Sequence, residues 1–291
     1  GYQAWNINGD AFSEGLKSQV LDSIRENLGE VDFLVYSIAA PRRMDPHTGE
    51  LYSTVIKPIG NTFTSKTVDF LSGKVSEITA EPATEEEIAH TVKVMGGEDW
   101  RLWIEMLKNG GVLAKNFLTI AFSYIGPDFT KAIYRDGTIG KAKEDLENSA
   151  DQINDVLAPL KGKAIVSINK ALVTRASAVI PAVPLYISLL YKVMKEKNLH
   201  EGCIQQIYRL YHHFLFTDGP AAVDHKGRIR LDDWEMSQDV QKKVAELWAQ
   251  VTTENLSQLA DIDGLRQEFL RHHGFGMPGV EYGLDVEPDI F

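Results

Sequence analysis

Three apolar runs of strand length set the frame of this chain. Residues 31–37 (Val-Asp-Phe-Leu-Val-Tyr-Ser), 116–124 (Asn-Phe-Leu-Thr-Ile-Ala-Phe-Ser-Tyr) and 163–168 (Lys-Ala-Ile-Val-Ser-Ile) alternate with stretches of helical periodicity. Before the first run, Ser13 is placed as a cap and Leu16, Val20, Leu21, Ile24 and Leu28 share one helical face. Between the second and third, Ala142, Leu146, Ala150, Ile153, Val156, Leu157 and Leu160 do the same. Strands and helices in this alternation form a parallel sheet with helices on its faces. A further short strand is expected at residues 4–8, ending at Gly9-Asp10.

The connections read more simply. From Arg42 to Pro82, turn signals between short β-branched runs predict a hairpin excursion beside the sheet. Thr84-Glu-Glu-Glu opens a helix with a cap and an acidic first turn; Gly96-Gly97 break it, and Asp99 is the expected cap of the next piece. The run 176–194 is small and apolar, interrupted by Pro181 and Pro184, and leads into a helix over 185–197. From residue 200 onward the pattern is mostly amphipathic helix, a cap on the same domain.

Composition excludes several classes. A chain of 291 residues with 44% apolar content can bury a large core and has no apolar run of membrane-spanning length, so no membrane partner is expected. A net charge of −11 argues against nucleic acid as a partner, which requires a basic face. An anionic ligand would need a local cationic patch; Arg42, Arg43, Arg175, Lys192, Lys195 and Lys197 are the candidates. The single cysteine, Cys203, excludes an internal disulfide and fits a reducing, cytoplasmic compartment. His212-His213 and His272-His273 are adjacent pairs that diverge on a helix, so no metal site is expected. A dinucleotide fold carries a Gly-rich phosphate loop after its first strand. None is visible near the start, and Gly274-Phe-Gly-Met-Pro-Gly279 is a decoy because no helix follows it, so the chain reads as beginning in mid-fold.

The chemistry concentrates at Tyr134-Arg-Asp-Gly-Thr-Ile-Gly-Lys-Ala-Lys143. On one continuous helix these two end residues would face roughly opposite ways, at about 100° per residue. Gly137 and Gly140 resolve this: Asp136-Gly137 is a turn, the helix starts near residues 138–140, and Tyr134 hangs from a loop over Lys143. Such a pair resembles the Tyr and Lys of short-chain reductases, and the Tyr-x8-Lys spacing resembles the FabV-type enoyl-acyl-carrier-protein reductases and the related trans-2-enoyl-CoA reductases. Asn8-Gly-Asp-Ala-Phe12, Val35-Tyr-Ser-Ile-Ala-Ala-Pro-Arg42, Lys57-Pro-Ile-Gly60, Val94-Met-Gly-Gly-Glu-Asp-Trp100, Ser123-Tyr-Ile-Gly-Pro127 and Leu172-Val-Thr-Arg-Ala-Ser177 are similar to the same family.

The resemblance implies an α/β, Rossmann-like fold of short-chain reductase type, with a hairpin excursion at about 42–82 and a substrate-pocket and helical cap region at about 175–291. It is taken as one domain over 1–291 that is incomplete at its N-terminus. It implies NADH as cofactor and an enoyl thioester of CoA or acyl carrier protein as substrate, in a monomer or dimer. By the same resemblance Tyr134 and Lys143 are catalytic, Tyr124 contacts substrate, and Asp10, Ala11, Ile38, Ala39, Lys143, Leu172, Val173 and Thr174 contact the cofactor. Glu144 after Lys143 leans towards the CoA branch. Two other readings are a non-catalytic acyl-CoA-binding fragment lacking the phosphate loop and a hydrolase using Ser123 with a histidine.

Overall fold

The computed structural model describes residues 2–175, 177 and 180–287. The chain divides into two compact units: residues up to 64, 79–170 and 206–233 form the first, and 65–78, 171–205 and 234 onward form the second.

The first unit is built on the expected parallel sheet. Helix α1 (Glu14–Asn27), capped by the Ser13 hydroxyl, leads to strand β1 (Val31–Tyr36). Two short ribbons follow in the chain, β2 (Arg42–Met44) with β3 (Leu51–Ser53) in this unit and β4 (Phe63–Asp69) with β5 (Lys74–Ala80) mostly in the second, so the excursion is two ribbons rather than one. Helices α2 (Glu85–Met95) and α3 (Glu98–Asn109) precede strand β6 (Leu113–Ser123). The short helix α4 (Asp128–Lys131) and the long helix α5 (Thr138–Leu157) lead to strand β7 (Lys163–Ile168).

Strand order is β1-β6-β7-β8, all parallel, with β8 (Ile229–Arg230) a two-residue edge that the sequence does not advertise. Side chains alternate across β6. Phe117 and Ala121 pack with α3 and α5 residues such as Trp103, Leu146 and Ile153, while Ile120 packs the other way with Leu210, Ile229 and Leu231. The middle of the sheet is therefore covered on both sides. The apolar face of α5 forms as the periodicity predicts, with Ala142, Leu146, Ala150, Ile153 and Leu157 buried.

Two local expectations fail. Residues 2–8 form no strand and are mostly exposed, because an extended segment becomes a strand only through hydrogen bonds to a neighbour. Asp99 is not a cap: Gly97 takes that position without a side-chain bond, and Asp99 is buried in an ion pair with Lys17.

In the second unit, α6 (Val183–Glu196) is buried along nearly its whole length and packs against α8 (Gln238–Gln250) and α10 (Ile262–His272). Pro184 lies in its first turn, where a missing N–H costs nothing, so it starts the helix instead of breaking it. Of the run 176–194, residues Ala176, Ala178 and Val179 lie outside the described residues. Helix α7 (Cys203–Leu210) begins in the second unit and ends in the first, and α9 (Leu256–Leu259) is a single turn. No helix among the described residues is long and apolar enough to cross a membrane.

Candidate active site

Strands β1, β6 and β7 end together: Tyr36 pairs with Ala121, and Ser123 with Ile168. In an open α/β sheet the carboxyl edge is where ligands collect. The residues that leave this edge are those singled out from the sequence.

Tyr134 lies on the turn between α4 and α5 as expected, and its ring meets that of Tyr124 edge to face, with centroids 5.0 Å apart and planes at 78°. Its hydroxyl has no hydrogen-bond partner among the described residues. Burial pushes this phenol up to about 12, so it keeps its proton throughout the neutral range. Lys143, in the second turn of α5, donates from Nζ to the carbonyl of Phe122 at 3.1 Å. Burial pushes its ammonium down to about 8, and Glu147 pulls it partly back up.

The close approach of loop and helix depends on Gly140. A Cβ there would stand 1.8 Å from the carbonyl oxygen of Arg135 and 2.7 Å from that of Tyr134. The start of α5 is fixed by Thr138, which donates from Oγ1 to the Val55 carbonyl at 2.6 Å and from its amide to the Lys57 carbonyl at 3.0 Å. Ser123 is buried and its Oγ has no partner among the described residues. No histidine is bonded to it among the described residues.

A second part of the site lies beyond β1. Gly9, Asp10, Ala11, Ile38, Ala40 and Arg42 line a cleft of about 420 Å³. Ala39 sits between two lining residues and is exposed. Asp10 accepts from the Phe12 amide at 3.0 Å, which shapes the turn into α1. Beneath it Lys17 donates to the carbonyls of Ala11 and Phe12 at 3.1 and 2.9 Å and to Asp99 Oδ1 at 2.7 Å. Tyr36 donates to the other Asp99 oxygen at 3.2 Å. Burial raises the Asp99 carboxyl above its ordinary range, and Lys17 opposes this.

Asp10, Ala11 and Ile38, grouped by the sequence reading, come together around this one cleft, whereas the Lys17–Asp99 support beneath it was missed. Its signal was present: Lys17 falls three, four and seven positions before Val20, Leu21 and Ile24, on the apolar stripe of α1. Met95-Gly-Gly-Glu-Asp-Trp100 proves to be a helix junction, since a Cβ on Gly97 would stand 2.3 Å from Ser149 of α5.

Leu172, Val173 and Thr174 belong to the second unit. There the Val173 amide donates to the Tyr191 hydroxyl at 3.1 Å, and that hydroxyl donates to Glu268 at 3.0 Å. The predicted cationic patch does not form as drawn. Arg43 is buried against Glu98 at 2.8 Å, while Lys192, Lys195 and Lys197 pair with Glu196, Asp261 and Asp239; Arg42 and Arg175 are exposed. Among the described residues no group of three His, Cys, Asp or Glu side chains is placed to hold a metal ion.

A parallel sheet with helices on both faces and ligand-accessible residues at its carboxyl edge is the Rossmann-like architecture of dinucleotide-dependent oxidoreductases. The chain belongs to the trans-2-enoyl-CoA reductase family: residues 1–216 match the profile described as the trans-2-enoyl-CoA reductase catalytic region. Residues 223–286 match a second, described as the enoyl reductase FAD binding domain. The chain is 56% identical over 286 residues to an enoyl-acyl-carrier-protein reductase (NADH) of Flavobacterium psychrophilum, covering 98% of this chain and 72% of that protein. It is also 56% identical over 282 residues to a trans-2-enoyl-CoA reductase (NADH) of Clostridium perfringens, covering 97% and 72%. The crystal structure of Treponema denticola trans-2-enoyl-CoA reductase in complex with NAD matches with a TM-score of 0.93 at 52% identity, over 96% of this chain and 70% of that one.

The described part of 223–286 holds no glycine-rich turn between a strand and a helix; its Gly274, Gly276 and Gly279 lie in an exposed stretch after α10. That arrangement does not cradle a flavin pyrophosphate. The cleft at Asp10, Ala11 and Ile38 opens beyond β1, and Tyr134 and Lys143 lie at the carboxyl edge of the same sheet.

Proposed function

We propose that this protein reduces the trans-2 double bond of enoyl thioesters with NADH. The observation that carries this reading is the Tyr134 phenol: held protonated by burial, without a hydrogen-bond partner among the described residues, on the loop that the Lys143 helix presses against. Bound NADH supplies the hydride. Reduction at the β-carbon drives negative charge onto the thioester oxygen, and a donor fixed in advance at that position lowers the barrier. Tyr134 is that donor. Tyr124, edge to face with it, positions the thioester and assists protonation of the α-carbon.

Lys143 contacts the ribose hydroxyls of the nicotinamide and lends positive charge. Asp10 and Ala11 contact the adenine half, Ile38 and Ala39 contact the cofactor at the strand end, and Leu172, Val173 and Thr174 contact the nicotinamide half. The acyl group is carried by CoA or acyl carrier protein, in fatty acid synthesis or in butyryl-CoA formation. The protein works in the cytoplasm as a monomer, a dimer being the alternative that sedimentation would reveal.

The test is NADH oxidation dependent on crotonyl-CoA, followed by absorbance, for the parent chain and Tyr134→Phe. Turnover by the parent that the variant abolishes supports the reading. Turnover unchanged in the variant removes Tyr134 from the chemistry, and no turnover with either thioester carrier returns the chain to an acyl-thioester-binding role.

A further inference from the structure

The helix that carries Lys143 is tied to its surroundings by a run of alternating charges. Arg135, the residue after Tyr134, places Nη1 3.1 Å from Glu147 Oε1. Glu147 Oε2 takes Arg228 Nη1 at 2.9 Å, and Arg228 Nη2 reaches Asp224 Oδ2 at 2.7 Å. Arg230 then approaches Asp224 at 3.6 Å and meets Asp232 at 2.7 Å. The inner members are shielded from water, with the Glu147 and Arg228 side chains 12% and 6% exposed. Ion pairs so placed are costly to desolvate and contribute little net stability unless their geometry serves something else.

The geometry does serve something else. Glu147 follows Lys143 by four positions on α5, so the two side chains share a helical face. Arg135 directly follows Tyr134 in the chain, and its carbonyl is the group against which Gly140 packs. One carboxylate thus joins the loop that bears the phenol to the helix that bears the ammonium.

We propose that Glu147 is a positioning residue for the Tyr134–Lys143 pair: its carboxylate anchors the Tyr134 loop through Arg135 while standing one helical turn beyond Lys143 on α5. The proposal deepens the reductase reading and takes its catalytic meaning from it. Each element around the pair contributes a known group. From the Tyr134 loop come Arg135 and the neutral phenol; from the 224–232 segment come Arg228 and Asp224; from β6 comes the Phe122 carbonyl. On α5 itself Glu144 is engaged by Lys141, and Asp145 accepts from the Gly97 amide at the α3 junction. Burial lowers the Lys143 ammonium and Glu147 raises it. Removing the carboxylate is expected to move it further down, and removing Arg228, the cation paired with Glu147, is expected to move it up.

Opposite directions are what a merely structural role would not produce. The experiment is competitive labelling with acetic anhydride across pH, reading Lys143 acetylation by peptide mass spectrometry with the exposed Lys141 as internal reference. The parent midpoint is expected near 8. Glu147→Gln is expected to lower it by about half a pH unit or more, Arg228→Gln to raise it, and Glu147→Asp to return it towards the parent. The alkaline limb of kcat/KM should move in the same directions. A midpoint that stays fixed, or that both substitutions shift the same way, overturns the proposal. If Glu147→Gln does not fold, the sign for Arg228→Gln decides alone. NADH affinity of Lys143→Met separates the two layers: unchanged affinity removes the ribose contact, while the labelling still judges Glu147.

Discussion

At the scale of single residues, the site consists of titratable groups whose surroundings hold them away from their ordinary behaviour. Tyr134→Phe removes only a hydroxyl, so kcat should fall by about 10²–10³-fold, the usual cost of losing one oxyanion donor, with NADH affinity by fluorescence titration nearly unchanged. Lys143 gives the pH dependence its sign. Its ammonium is pushed down to about 8, so it is charged below that pH and neutral above it. Activity should hold through neutrality and decline as pH rises through about 8, as a pH profile of kcat/KM will reveal. Tyr134, pushed up to about 12, does not titrate in that window. Beneath the cleft, Asp99→Asn deprives buried Lys17 of its counter-charge. Breaking such a pair typically costs about 3–5 kcal/mol, measurable as a lower urea midpoint.

At the scale of elements, close approaches between backbones decide whether the site assembles. A glycine replaced by alanine inside an exposed helix normally gains about 0.5–1 kcal/mol. Gly140→Ala should do the reverse, because its Cβ would collide with the Arg135 carbonyl. A loss of about 2 kcal/mol or more is expected in chemical denaturation, with a fall in kcat as the Tyr134 loop is displaced. The start of α2 is a milder case. Thr84 and Glu87 form a reciprocal capping box, at 3.1 and 2.9 Å, and Thr84→Ala should cost about 1 kcal/mol without altering kcat.

At the scale of the whole molecule, protection should follow the covering of the sheet. Strands β6 and β7 are paired on both edges and covered on both faces, whereas among the described residues β1 has one paired edge and several half-buried residues. Amide hydrogen exchange should therefore be slowest in β6 and β7, close to the global unfolding limit, and faster in β1 and in residues 274–287. In the second unit, α6 should rank with the core, since nearly all of its side chains are buried.

Much of this was legible before any coordinates. The three central strands, the α1 cap at Ser13, the α2 capping box and the break that puts Tyr134 on a loop and Lys143 on a helix are local: each follows from period, capping chemistry or turn residues within a few positions. Tyr-x8-Lys could be read because Asp136-Gly137 signals a turn that takes Tyr134 off the helix, and because the spacing resembles that of the enoyl reductases. The Lys17–Asp99 pair, the burial of Arg43 and the alternating run through Glu147 and Arg228 were decided by tertiary structure alone. Lys17 and Asp99 are 82 positions apart, and Glu147 and Arg228 are 81 apart. Hydrophobic period says which face of an element turns inward; it does not say which buried charge will meet which, because that depends on how the elements stack.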